Sequence, residues 1–127
     1  MRIAFVIDNL SRAGTESQLL ALIRSLDRSR FEPSLVLLDG SSIGSQELEP
    51  ADCDVTRLGV TKLLGFRAYR AANRLRTLWR ERRPDIVQAY FLDSSYFAIP
   101  LARRVGVPAI VRVRNNLGYW LTPKHRL

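Results

Sequence analysis

Four short runs of consecutive apolar residues, IAFVI (3–7), SLVLL (34–38), DIVQAY (85–90) and PAIVRVR (108–114), constrain this chain more than any other feature. Each is rich in branched aliphatics, is bounded by Gly, Pro, Asp or Asn, and is largely continuous rather than alternating. An alternating run suits a strand with one wet face, whereas a continuous run suits a strand covered on both faces, the habit of parallel sheets. A weaker run, DVTRLGV (54–60), predicts an edge strand.

Helical patterns separate the runs. Over 15–29 the apolar residues Leu19, Leu22, Ile23 and Leu26 recur at spacings of three and four, with Thr15 placed to cap and Glu16 supplying an acid to the first turn. Over 65–83, Ala68, Ala72, Leu75 and Trp79 share one face and Arg67, Arg70 and Arg74 lie opposite, until Pro84 stops the helix. A third helix, 93–104, ends with Arg103 and Arg104 in its last turn and Gly106 beyond. The 127 residues, 46% of them hydrophobic, suffice for one domain with its own core. The order of elements implies a Rossmann-like doubly wound parallel sheet of about five strands, with right-handed crossovers and helices on both faces. Ligands of such sheets bind outside the carboxyl ends of the strands, near the point where strand order reverses. Those ends correspond to residues 8–14, 39–45, 90–93 and 114–118.

The net charge of +8 makes anionic partners plausible, and arginine carries nearly all of it, since only Lys62 and Lys124 are lysines. Arginine suits bidentate contact with phosphate or carboxylate, although a GC-rich genome leaves the same bias. Cys53 is the single cysteine, which excludes an internal disulfide and a thiol-only metal site; it reads as a small buried apolar residue in a reducing compartment. With His125 the single histidine, a histidine-clustered metal site is not expected. The first apolar run is too short for a signal sequence or a membrane span, so a cytoplasmic protein is expected.

The stretch NLSRAGTESQLLALIRSL (9–26) runs from a polar turn straight into the first helix. A dinucleotide-binding turn needs three closely spaced glycines, but Gly14 stands alone, and the Gly-Lys-Ser/Thr of a triphosphate loop is absent. What remains is a glycine before a helix N-terminus at a strand's carboxyl end, where free N–H groups favour an anion or a sugar hydroxyl.

MRIAFVIDNL, the RAGTE that precedes the first helix, RPDIVQAY and ARRVGVPAIVRVRNNLGYW together resemble the N-terminal domain of family-4 retaining glycosyltransferases of the GT-B type. The resemblance covers nearly the whole chain. The family's first loop commonly reads Gly-Gly-X-Glu, which Ala13, Gly14, Thr15 and Glu16 match with one glycine replaced. Its strand-four phrase, Pro-Asp-(Ile/Val)-(Val/Ile)-His-X-His, meets Pro84, Asp85, Ile86 and Val87, but Gln88 and Tyr90 stand at the two histidine positions. Many members carry a histidine facing the reacting sugar after strand five, where this chain has Arg114. An always-charged guanidinium cannot act as a base but can stabilise developing negative charge.

The resemblance implies an enzyme that transfers a sugar from a UDP- or GDP-sugar to a hydroxyl, with retained configuration, no required metal and no covalently bound cofactor. Its acceptor side would be this domain, with Gly14, Thr15 and Glu16 as the cradle, Tyr90 as a cleft wall, and Asp93, Arg114, Asn115 and Asn116 as further contacts. A C-terminal half of the same protein would hold the nucleotide sugar. Thr122 and Pro123 read as the cap and first residue of a further helix, as if the 127 residues were the front of a longer protein.

Arg67, Arg70 and Arg74 read either as a solvated outer face or as a seat for an anionic bilayer or a lipid-linked acceptor, on the cytoplasmic side of a membrane. Phe91 and Tyr96 read as core aromatics, whereas Tyr90 and Trp120, which follow strand ends, read as sugar-stacking residues. Asp8 reads as a strand terminator and Asp93 as a helix cap, either of which could also touch ligand. Two alternatives stay open: a non-catalytic module such as a receiver-like signalling domain, and a nucleic-acid-binding domain using the arginine helix.

Overall fold

Strand and helix alternate along residues 1–113, the part of the chain described by a computed structural model. β1 (Arg2–Ile7), β2 (Glu32–Leu37), β3 (Asp54–Arg57), β4 (Ile86–Tyr90) and β5 (Ala109–Val113) form one sheet in the order β3-β2-β1-β4-β5. Every pairing is parallel. The connecting helices are α1 (Gly14–Ser25), α2 (Ile43–Glu47), α3 (Phe66–Arg82) and α4 (Leu92–Val105). The chain steps outward from β1 to β3, then returns to lay β4 on the other side of β1, so strand order reverses between β1 and β4. This is the Rossmann order. A receiver-like domain would place its third strand beside the first, and here β3 lies at the far edge. A receiver-like topology is thereby excluded.

The registers explain the continuous apolar runs. Phe5 lies opposite Leu35 on one side and Gln88 on the other, so side chains alternate in step across three strands. Ile3, Phe5, Ile7, Leu35 and Leu37 face α1 and pack against Leu19 and Ile23. Ala4, Val6, Val36, Val87 and Ala89 face the other way, against Leu75 and Trp79 of α3 and Ala98 and Ala102 of α4. β1 therefore has no wet face, and neither of its periodic sets can be polar. Small residues on both sides of the second layer, including the buried Ser94 and Ser95, let α4 lie close to the sheet.

Several boundaries differ from expectation for local reasons. α1 stops at Ser25 rather than Ser29, because the Asp27 carboxylate accepts from the Ser29 backbone N–H (3.0 Å) and hydroxyl (2.6 Å), a local turn that competes with helix. Thr15 does not cap: it lies inside the first turn, and Ala13 holds the N-cap position with no side-chain hydrogen bond. α2 is new, a single turn whose Ser42 hydroxyl accepts from the Ser45 N–H (3.1 Å). It is too short to show a period in sequence. On α3 the buried set is Ala68, Ala71, Leu75 and Trp79, with Ala72 at its margin. β5, read as buried on both faces, instead exposes Ala109, Val111 and Arg112, since β4 is its only strand partner among the described residues. No described helix is long and apolar enough to cross a membrane.

Candidate functional site

The loop that leaves β1 crosses the point where strand order reverses, and four hydrogen bonds involving side chains fasten it to both neighbours. On the β4 side, the Asp8 carboxylate accepts from the Ser94 backbone N–H (3.1 Å) and from the Ser94 hydroxyl. On the β2 side, the Asn9 side-chain carbonyl accepts from the Gly40 N–H (2.9 Å), and the Leu10 N–H donates to the buried Ser45 hydroxyl (3.0 Å). Gly40 is required there: its φ is +72°, and a Cβ would lie 3.0 Å from both Leu37 Cβ and Arg57 Cγ. The loop then turns into α1, where the Ser11 hydroxyl donates to Glu16 and accepts from the Ala13 N–H (3.2 Å).

These contacts hold the loop from either side while leaving the start of α1 without a capping side chain. The N–H groups of the first turn are the positive end of the helix dipole, so an uncapped N-terminus at a strand's carboxyl end can receive a phosphate or hydroxyl oxygen. Gly14, the first residue of α1, is exposed, and a Cβ built on it meets nothing within 4 Å. The fold itself does not need a glycine at this position.

The rim is acidic although the chain is basic. Burial pushes the half-buried Asp8 carboxyl up from its ordinary value of 3.8; the Ser94 hydroxyl pulls it back, and the Asp93 and Glu16 charges add to the rise. Asp8 thus senses the charges of both Asp93 and Glu16. Carboxylates so placed accept hydrogen bonds from a polyol, and the α1 N-terminus beside them donates. Among the described residues, no three His, Cys, Asp or Glu side chains are grouped to hold a metal.

The expected site residues divide into three groups. Gly14, Thr15, Glu16 and Asp93 come together at this rim. Asp93 is not the helix cap; it lies exposed in the first turn of α4, and Asp8 reaches across from β1 to do the capping. Tyr90 lies under the rim rather than along it. Its side chain is only 6% exposed, in the core layer facing α1, and its hydroxyl accepts from Gln88 Nε2 (2.7 Å). The cleft-wall expectation is corrected, because the odd-even alternation that aims Val87 and Ala89 at α4 aims Tyr90 at α1. Burial also pushes the Tyr90 phenol up, so it stays neutral. A hydrogen-bonded amide–phenol pair thus occupies the two positions where the resembling family has histidines. Arg114, Asn115, Asn116 and Trp120, and the Thr122-Pro123 turn, lie outside the described residues.

Away from the rim, Phe91 is half-buried against the core, but Tyr96 is exposed, so its core reading is corrected. Cys53 is half-buried, and burial pushes its thiol up to about 11, which makes it a poor nucleophile. Arg67 and Arg70 stand exposed, while Arg74 Nη1 turns back to donate to the Arg57 carbonyl (3.1 Å). Sequence patterns did not reveal Ser94, Asn9, Gly40 or Ser45. Ser94 meets Asp8 across 86 residues, and no local spacing encodes that contact.

A family model described as "Glycosyl transferase 4-like domain" matches residues 13–127. Among solved structures, the crystal structure of Acinetobacter baumannii MurG is similar, with a TM-score of 0.65 at 13% sequence identity. The match covers 87% of this chain and 33% of that one, so the chain spans about a third of MurG's length. At that identity the likeness is one of fold. No curated protein is significantly similar in sequence.

Proposed function

Since the chain belongs to the glycosyl transferase 4-like family, we propose that it is the acceptor-side half of a GT-B glycosyltransferase that moves a sugar from a UDP- or GDP-sugar to a hydroxyl in polysaccharide or glycolipid assembly. Retention of configuration, transfer without a metal, and a C-terminal half that grips the nucleotide sugar complete this reading; all three come from the family resemblance. One observation carries the assignment of the site. The β1–α1 loop is fastened on both sides, through Asp8–Ser94 and through Asn9–Gly40, while the α1 N-terminus between the fastenings carries no capping side chain.

Each group has a role in the proposal. Glu16 and Asp93 accept from hydroxyls of the incoming acceptor. The N–H groups of Gly14 and Thr15 donate to an acceptor oxygen or to a donor phosphate. Arg114, Asn115 and Asn116 are proposed as phosphate contacts on the strength of their place after β5. Asp8 positions α4 and thereby Asp93. Such prepaid positioning is worth more than any single contact, because acceptor and donor then meet as if in one molecule. Gln88 and Tyr90 place no imidazole at these two positions of β4, and the donor's own phosphate oxygen, the group to which the family resemblance points, is proposed to take the acceptor proton.

The test is sugar transfer by the full-length protein from radiolabelled UDP- and GDP-sugars, compared with Glu16→Ala and Asp93→Ala. The proposal expects each variant to lose about tenfold or more in kcat/KM for the acceptor, as loss of a charged hydrogen-bond partner does, and residues 1–127 alone to show no transfer. Turnover by the 127-residue chain, or full activity in both variants, overturns it.

A further inference from the structure

We propose that a cavity at the amino ends of β1, β2 and β3, covered by the last turns of α3, binds a small neutral alcohol or ketone with a compact apolar body. The cavity measures about 60 Å³, space for roughly four to six water-sized groups. Its position follows from the strand registers. On the face of the sheet that α3 covers, the row Ala4, Ser34, Asp54 and the row Val6, Val36, Thr56 both turn from apolar to polar on the way from β1 to β3. Leu75 and Trp79 pack on the apolar part of these rows. The polar ends extend past it, and the cavity lies between them and Leu78, Trp79 and Arg82 of α3.

An unmatched donor is the second sign. Trp79 is only 2% exposed and forms part of the cavity wall, yet its indole Nε1–H has no hydrogen-bond partner among the described residues. An indole nitrogen can only donate, and folded proteins rarely leave a buried donor unmatched. Ser34 and Thr56 bring two hydroxyls to the same cavity, each able to donate or to accept. Pro33, Val36, Leu78 and Pro84 make the remaining wall apolar. An occupant therefore meets partners for one oxygen and hydrocarbon for the rest of its surface, the composition of a small-molecule site on a reduced scale.

The mouth selects against ions. Arg2 pairs with Glu32 (3.3 Å) and Arg82 with Asp54 (3.0 Å), so two cations and two anions leave the entrance without net charge. A charged guest would give up its hydration and find both guanidinium groups and both carboxylates already paired. A neutral guest gives up far less. All four side chains are more than half exposed, and exposed pairs are held loosely, so the entrance opens at small cost. The Asp8–Asp93 rim lies at the opposite, carboxyl end of the sheet. The cavity is therefore separate from the proposed acceptor cleft and does not depend on the transferase reading.

Cyclopentanol is the probe, set against cyclopentane, which lacks the oxygen, and cyclopentylammonium, which carries a charge. In isotope-labelled protein the indole N–H signal of Trp79, told from that of Trp120 with a Trp120→Phe protein, should move downfield and saturate as cyclopentanol is added. Cyclopentane should bind about fivefold or more weakly, as the loss of one hydrogen bond requires, and the ammonium should not bind. Methyl signals of Val36 and Leu78 report occupancy where the indole is changed. Read by them, Trp79→Phe should weaken cyclopentanol about fivefold. Ser34→Ala with Thr56→Val, both at half-buried positions, should do the same and leave cyclopentane unaffected. Ser34→Leu, which fills the cavity, should abolish binding of both. No saturable shift, equal affinity for cyclopentanol and cyclopentane, or unchanged affinity in the Ser34→Ala, Thr56→Val protein overturns the proposal. So does an indole N–H that still exchanges magnetisation with water at the highest cyclopentanol concentration, because the cavity then holds solvent only.

Discussion

Replacing Gly14 with alanine separates a ligand-contacting glycine from a turn residue, because the fold is indifferent to the change. Gly14 opens α1 outside the left-handed region, and a Cβ there meets nothing within 4 Å. No strain or clash therefore opposes the substitution, and the alanine chain has less freedom to lose on folding. Stabilisation of about 0.4–1 kcal/mol follows, which for a domain of this size raises Tm by roughly 2–5 °C. Catalysis should move the other way. A Cβ that fills the open space at the mouth of the α1 N-terminus stands where a hydroxyl or phosphate oxygen must approach. A loss of about tenfold or more in acceptor kcat/KM, equivalent to ~1.4 kcal/mol of transition-state binding, is then expected. Thermal denaturation followed by circular dichroism reads the first quantity, and steady-state transfer by the full-length protein reads the second. A variant that is stabilised and as active as the parent would show that nothing approaches this backbone, and the proposed cradle would be wrong. A destabilised variant would refute the geometric argument itself.

Gly40→Ala should behave oppositely in stability, losing at least about 1–2 kcal/mol in urea denaturation, since it combines a left-handed φ of +72° with a Cβ 3.0 Å from two side chains. Trp79→Ala empties the layer between α3 and the sheet, where Trp79 is 2% exposed, and a cost of about 3–5 kcal/mol is expected by the same measurement, with Trp79→Phe costing less. Asp8→Asn keeps an acceptor for Ser94 but removes a charge that burial disfavours. Because the folded-state pKa of Asp8 is raised above 3.8, its contribution is fully present below that value and is lost as pH rises through the folded pKa. Asp8→Asn should therefore gain stability relative to the parent as pH rises above the ordinary carboxyl value of 3.8 and through the raised folded-state pKa; a difference that is flat or falls with pH, followed by denaturant titration, would exclude that account.

Which parts of this molecule could be read from sequence depends on how far apart the deciding residues lie. The continuous runs at 3–7, 34–38 and 85–90 announced strands covered on both faces, and β1, β2 and β4 are those strands, because a central parallel strand can present no polar set to either layer. The run at 108–114 has the same appearance, yet β5 is an edge. Being central or peripheral is a property of neighbours, not of composition. Likewise Pro84 and Gly106 marked where α3 and α4 end, since each acts on its own backbone. The competing turn at Asp27 went unseen, because side-chain hydrogen bonds to the backbone leave no period.

The sequence by itself determined the alternation of strands and helices, hence a doubly wound sheet with Gly14, Glu16 and Asp93 on its carboxyl rim, because periodicity and chain breakers act within a few residues. Only the tertiary structure decided that Asp8 caps α4, that Tyr90 turns inward, and that Ser34, Thr56 and Trp79 gather about one cavity. Each of these depends on the order in which strands lie side by side. That order is settled by the free energy of burying two layers at once, to which no short stretch of chain has access.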